Sequence, residues 1–207
     1  MSNSKRKSLL TTRELTTVAI LAAISAVLFM IEIPIVLFYK LDLSHLPVLL
    51  GAFSMGPVAG TMILLVKSIL GLLHSSSQGV GELADFIMGF AMMLPAALIY
   101  QRNKTRQGAI IGMVVGTVAA TIAAVFTNLY IMIPFYGAAF GMPVEAIISM
   151  GQKIIPAVDS TWKFVLLITA PFNLFKWIVI SILDALMYKP LSPILHGNSK
   201  KKRTSEA

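Results

Sequence analysis

The sequence predicts an all-α integral membrane protein, a bundle of six transmembrane helices with both termini cytoplasmic. Three observations lead there: too few charges for a soluble domain, apolar runs of membrane-crossing length, and basic residues gathered on one side. Of the 207 residues, 57% are hydrophobic and 13% charged, whereas soluble domains carry about a quarter charged residues. Mean hydropathy is +0.82. A net charge of +8 would suggest nucleic acid in a soluble protein; sorted by position, it reads as topology. Lys5, Arg6, Lys7 and Arg13 precede the first apolar run. Arg102, Lys104 and Arg106 fill one short break, and Lys189, Lys200, Lys201, Lys202 and Arg203 follow the last run. The length suits one domain, residues 1–189, followed by a basic cytoplasmic tail at 190–207. That tail is expected to lie solvated beside the lipid, and no nucleic-acid partner is expected. Cysteine is absent, which excludes disulfides, thiolate metal sites and a Cys nucleophile. No cleaved signal peptide is expected, because the first apolar run is too long and lacks a small-residue exit site.

A spanning helix needs about 20 mostly apolar residues. Leu15 to Ile31 is the first such run, opened by Thr11 with Glu14 three residues on, a capping-box pattern. Glu32 to Leu43 is an outward link with Pro34, Tyr39, Lys40 and Asp42. Pro47 to Leu73 reads either as one long helix or as two broken at Gly56-Pro57. One helix would make five spans and put the Arg102 to Arg106 break opposite the N-terminus. A turn makes six and gathers all three basic clusters on one side, so the positive-inside rule selects six, with a short second helix at about Ser44 to Met55. Gly81 to Tyr100 and Ala109 to Ile133 are the fourth and fifth. Pro134 to Thr169 is a long outward segment in which Glu145 to Ile155, with Ile147, Ile148, Met150, Ile154 and Ile155, predicts a short interfacial helix. The last span runs from Pro171, suited to a first helical turn, to Tyr188.

No catalytic chemistry stands out. Lys67-Ser68 lacks the glycine of a phosphate-binding loop, no H-E-x-x-H or G-x-S-x-G occurs, and no metal site is expected. His45 and His74 are expected at the membrane interface. The chain is read as a non-enzyme without its own ATPase, so energy for active transport would come from another subunit.

Ionisable groups at membrane depth need partners or a watery cavity. Glu82 and Asp85 open the fourth helix, where the helix dipole favours them, and Lys67 is expected to pair with one of them. Asp184, near the cytoplasmic end of the last helix, is expected to snorkel or to pair with Lys189. Asn173 and Lys176 lie three residues apart on one helical face, and Asn128 lies near the outer end of the fifth helix. Together with Phe126, Tyr130, Phe172 and Phe175 they describe an amphiphilic pocket for a flat, apolar ligand with a polar edge. A helix–helix polar clamp is the alternative. Ala19 and Ala23, like Ala22 and Ala26, are spaced by four, a small-residue stripe for close helix contact inside the bundle or with a partner.

Four segments in order then carry a family likeness: Asp42-Leu-Ser-His-Leu-Pro47, Gly56-Pro-Val-Ala-Gly60, Gly79-Val-Gly-Glu-Leu-Ala-Asp-Phe86 and Ala170-Pro-Phe-Asn-Leu-Phe-Lys176. On these the chain resembles the riboflavin-specific (RibU-type) S components of energy-coupling factor (ECF) vitamin transporters. The resemblance implies a multi-pass subunit of the bacterial cell membrane. It would bind riboflavin with high affinity as its transported ligand, with no further cofactor, and work with a transmembrane coupling subunit and two cytoplasmic ATPases. It assigns Asn128, Asn173, Lys176 and Glu82 to the ligand, places the first outward link over the ring with Leu41, Asp42 and Leu46, and adds Phe172 to the lining. It gives Ala19, Ala22, Ala23 and Ala26 to the coupling-subunit interface. Relatives often show Asn where Asp85 stands and an acidic residue near Leu64, which sets Asp85 apart from the ligand. The other readings are an S component for another vitamin, or a stand-alone facilitator.

Overall fold

The structure, a computed structural model, describes residues 10–196; Lys5, Arg6, Lys7 and the run Lys200 to Arg203 lie outside them. α1 (Thr12–Phe29) begins as its sequence dictates. The Glu14 backbone N–H donates to Thr11 Oγ1 at 3.3 Å, and the Thr11 N–H donates to Glu14 Oε2 at 2.7 Å, so two otherwise unpaired donors are satisfied reciprocally. An antiparallel hairpin follows, β1 (Ile33–Val36) and β2 (Tyr39–Leu41), where the sequence showed only a link. α2 (His45–Met55) and α3 (Pro57–Gly71) are separate helices that meet at Gly56. Pro57 takes the first turn of α3, where no N–H is needed. Then come α4 (Val80–Arg102) and α5 (Arg106–Thr127). A Cβ at Gly116 would run into the Met92 carbonyl oxygen, so α4 and α5 approach too closely there for any side chain.

The last two long helical stretches depart from plain α geometry toward one end. α5 passes through a π turn (Asn128–Met132) into α6 (Ile133–Phe140). After α7 (Val144–Gln152) and α8 (Thr161–Phe164), a second π turn (Val165–Thr169) leads into α9 (Ala170–His196). Each π turn lies just ahead of a proline, Pro134 or Pro171. Proline in a helix removes one backbone bond and clashes with the carbonyl four residues earlier; a wider turn there relieves the clash. Helical structure therefore begins at Thr161 instead of Pro171, and α9 continues to His196, past residue 190 where the tail was expected. The expected interfacial helix is α7, with Ile147 buried.

Among the described residues, five helical stretches are long and apolar enough to cross a membrane: 12–29, 57–74, 80–102, 106–140 and 161–187; α2 is shorter. Exposed Ile20, Ile24, Leu65, Ile69, Val114, Val118, Ile178 and Ile182 give them an apolar outer surface, as lipid requires. Inside, a mid-bundle core holds Leu49, Ile63, Leu64, Met92, Met93, Trp177 and Ile180. A second core under the hairpin and α7 holds Tyr39, Ile147, Val158, Phe164, Ile168 and Phe172. The polar residues sit between and beside these two.

Gly56 has φ 102° and ψ 172°, a region essentially reserved for glycine. Gly56→Ala is expected to destabilise the protein by about 1–3 kcal/mol, read as a lower thermal midpoint in detergent; an unchanged midpoint would show the corner to be unstrained.

Candidate functional site

The centre of the bundle carries four opposed charges. Lys67 on α3 is wholly buried; its Nζ donates to Asp85 Oδ2 of α4 at 2.5 Å and to Ser44 Oγ at 2.9 Å, and lies 3.4 Å from His45 Nε2. Lys176 on α9 donates to Asp42 Oδ2 at 2.7 Å and stands 3.7 Å from Asp85 Oδ1. Asp42 accepts from the Ser44 N–H at 3.0 Å and from the Ser44 hydroxyl, while the Ser44 carbonyl accepts from Ser25 Oγ of α1. Two ammoniums and two carboxylates cancel, the condition under which buried charge is tolerated. Burial alone would raise the Asp42 carboxyl, but the ammoniums of Lys176 and Lys67 outweigh it and hold it well below the usual carboxylate range.

One atom each of Asp42, His45 and Asp85 lies within 4.8 Å of the others, a spacing that could hold a metal. The same carboxylates already receive Lys67 and Lys176, so a divalent ion would lie against two ammoniums. The cluster is an ion-pair network. His45 is buried at its centre, edge-on to Trp177 with ring centroids 4.7 Å apart. This corrects its expected interfacial position: three residues beyond Asp42, in the first turn of α2, it points into the bundle. His74 is exposed.

A set of amides lies beside the charges. Tyr39, on β2, puts its hydroxyl 2.9 Å from Asn128 Oδ1 and 2.5 Å from Thr169 Oγ1. Asn128 Nδ2 donates to the Ala124 carbonyl and Asn173 Nδ2 to the Thr169 carbonyl, both at 2.9 Å. The Tyr39 ring stacks on Phe172 with centroids 5.1 Å apart, and Phe38 stacks on Tyr136 and Phe164. Asn128, Asn173 and Lys176 are all buried: the first two are joined through Tyr39 and Thr169, and Lys176 lies one turn beyond Asn173 on α9. Leu46 and Phe172 are buried and Leu41 half-buried. Glu82 is buried too, but its hydrogen-bond partners are Ser75 at 2.8 Å and Ser77 at 3.1 Å, in the turn before α4. A groove of about 400 Å³ between α5 and α9, lined by Met113, Val114, Thr117, Ile178 and Ser181, faces outward and is separate from this chemistry.

Several expectations need correction. Phe126, Tyr130 and Phe175 are 52%, 64% and 50% exposed; they lie one or two residues from Asn128, Asn173 and Lys176, which turns them to the opposite side of helices whose polar face points inward. Asp184 does not snorkel. It is wholly buried, and neither carboxylate oxygen has a hydrogen-bond partner among the described residues. The alanine stripe divides: Ala19 and Ala23 are exposed, Ala26 is half-buried, and Ala22 is buried against the bundle, which withdraws Ala22 from any partner surface. Sequence reasoning missed Tyr39, Ser44, His45 and Thr169 as members of the polar set. Their one signal is position, since Ser44 and His45 fall inside the first family-like segment and Thr169 directly precedes the last.

Removing the Lys67 ammonium would leave Asp42 and Asp85 against the single ammonium of Lys176. Lys67→Met is expected to destabilise the protein by about 3 kcal/mol, with Asp85→Asn in the same chain restoring part of the loss; thermal unfolding of both variants in detergent reads this.

Residues 13–188 match the family described as ECF transporter, substrate-specific component. The riboflavin transporter RibU of Staphylococcus aureus (strain TCH60) is 33% identical over 94% of this chain and 98% of its own length. The riboflavin transporter FmnP of Bacillus subtilis (strain 168) is 25% identical over 87% of this chain and 93% of its own. A solved structure described as the S component of a bacterial ECF transporter superposes with a TM-score of 0.68 at 32% identity, covering 89% of this chain and 98% of that one.

Proposed function

This chain belongs to the family of ECF transporter substrate-specific components, and we propose that it is the member that captures riboflavin with high affinity for uptake. It is a multi-pass protein of a bacterial membrane. In this reading six helices span, α2 being the short one, and both termini are cytoplasmic, which puts Arg13 and the Arg102, Lys104, Arg106 cluster on one side. The site then opens outward beneath the hairpin. The sequence has no phosphate-binding loop, so this subunit works with a transmembrane coupling subunit and two cytoplasmic ATPases, and Ala19 and Ala23 offer it a smooth exposed contact.

The observation that carries the proposal is the convergence of Asn128, Asn173 and Lys176 beside stacked aromatic rings under the hairpin. Riboflavin is a wide apolar plate with one edge of alternating carbonyl and N–H groups, and a ribityl chain of hydroxyls. Asn supplies donor and acceptor to such an edge; Lys supplies donors alone. Phe172, Leu41 and Leu46 give the plate apolar contact, Asp42 positions Lys176, and Glu82 adds an acceptor at the outer end of α4. The support from names is consistent, since the relatives are called riboflavin transporters.

Two hydrogen bonds to a ring edge are worth enough that losing one amide weakens binding at least about tenfold. Asn173→Ala is therefore expected to raise the Kd for riboflavin by that factor while leaving the fold intact, measured by quenching of riboflavin fluorescence on titration with the solubilised protein. Equal affinity would remove Asn173 from the site. A different vitamin retained after gentle extraction, or uptake into liposomes holding this chain alone, would replace the riboflavin and partner assignments respectively.

A further inference from the structure

Asn128 opens one π turn and Thr169 closes the other, and the Tyr39 hydroxyl from the hairpin bridges them. A phenol has one proton to give. Asn128 Oδ1 can only accept, so that proton goes to Asn128, and the contact with Thr169 must be made by the Thr169 hydroxyl donating to the Tyr39 oxygen. The result is a directed relay from Thr169 through Tyr39 to Asn128. The other end of the amide is fixed as firmly, because Nδ2 donates to the Ala124 carbonyl. Rotating the amide by half a turn would set its oxygen against the Ala124 carbonyl, and the Tyr39 hydroxyl could accept from the NH2 only by turning its proton onto Thr169 Oγ1, which would leave the buried Thr169 proton without an acceptor among the described residues.

With these bonds made, Asn128 keeps one N–H and one oxygen lone pair for a solute, in a fixed order in space. A ring edge of alternating carbonyl and N–H groups is sensitive to that order, since a reversed amide would set donor against donor. Tyr39 itself is buried and holds its ring on Phe172, so the hydroxyl is placed by the packing of its ring.

We propose that Tyr39 is a positioning residue, set by Thr169, that fixes the donor–acceptor polarity of Asn128 and thereby makes the site specific for the alternating edge of its ring ligand. The inference rests on the riboflavin reading and adds to it a residue outside the ligand-contact set.

The test is a double-mutant cycle read by riboflavin affinity. Tyr39→Phe keeps the ring and its stacking and removes the hydroxyl; Kd is expected to rise about tenfold, and the preference for riboflavin over its N3-methyl analogue, which lacks the edge N–H, is expected to shrink. In an Asn128→Ala background the same change is expected to have no further effect. Thr169→Val, which keeps the shape and removes the relay's proton, is expected to act in the same direction and also to lose its effect beside Asn128→Ala; it carries the cycle if Tyr39→Phe fails to fold. Losses that multiply in the double variants, or an unchanged Tyr39→Phe affinity and preference, would overturn the inference while leaving riboflavin binding standing. A wild-type chain that binds no riboflavin would overturn the functional reading and this inference with it.

Discussion

Charge cannot be left uncompensated where water is excluded, and in this protein that constraint fixes the relation between six parts of the chain. Asp42 at the hairpin's exit, Lys67 on α3, Asp85 on α4 and Lys176 on α9 neutralise one another, while Ser44 ties α2 to Asp42 and, through Ser25, to α1. No member can shift far without exposing a partner to hydrocarbon, a cost of several kcal/mol. The hairpin is therefore anchored at its base by an ion pair, with its strands packed on the second core. Lys176 is held in the same way: its ammonium is presented beside Asn173 because two carboxylates orient it.

The aromatic layer above works by different physics. Phe38, Tyr39, Tyr136, Phe164 and Phe172 meet through offset and tilted ring contacts, which are individually weak and tolerate substitution of one flat partner by another. A rigid electrostatic floor under an adaptable aromatic roof suits capture of a planar solute, since only the polar edge must match closely. The hydroxyl of Tyr39 joins the two layers.

Much of this was legible because it is local. The Thr11 cap, the Gly56-Pro57 break and the shared face of Asn173 and Lys176 depend on residues within a turn of one another, and they stand in the structure where the sequence put them. Lys67 could be matched to a carboxylate because a lone ammonium at that depth needs one. What stayed hidden depends on distance along the chain or on small departures from α geometry. Tyr39 reaches residues 89 and 130 positions away, and no periodicity announces such a pairing. The early start of the last helical stretch was masked because Pro171 looks like a beginning, whereas the preceding π turn lets the helix pass through it. The outward aim of Phe126, Tyr130 and Phe175 follows from the inward aim of their polar neighbours, and proximity in sequence concealed it.

The paired π turns have a bearing on how such a site can diversify. Each holds one residue more than an α turn would, so deleting a single position between 165 and 169 would close it to an α turn: the segment on its hairpin side would keep nearly its present facing, but the room that Pro171 needs would be lost. The same holds for 128–132 and the short helix beyond it. Gain of one codon at either place, with no wider turn left to absorb it, would rotate the segment on the hairpin side by about 100°, while Lys67 and Asp85, on α3 and α4, kept their contact. Ring placement under the hairpin and the Lys67–Asp85 pair are thus set by different elements of the fold.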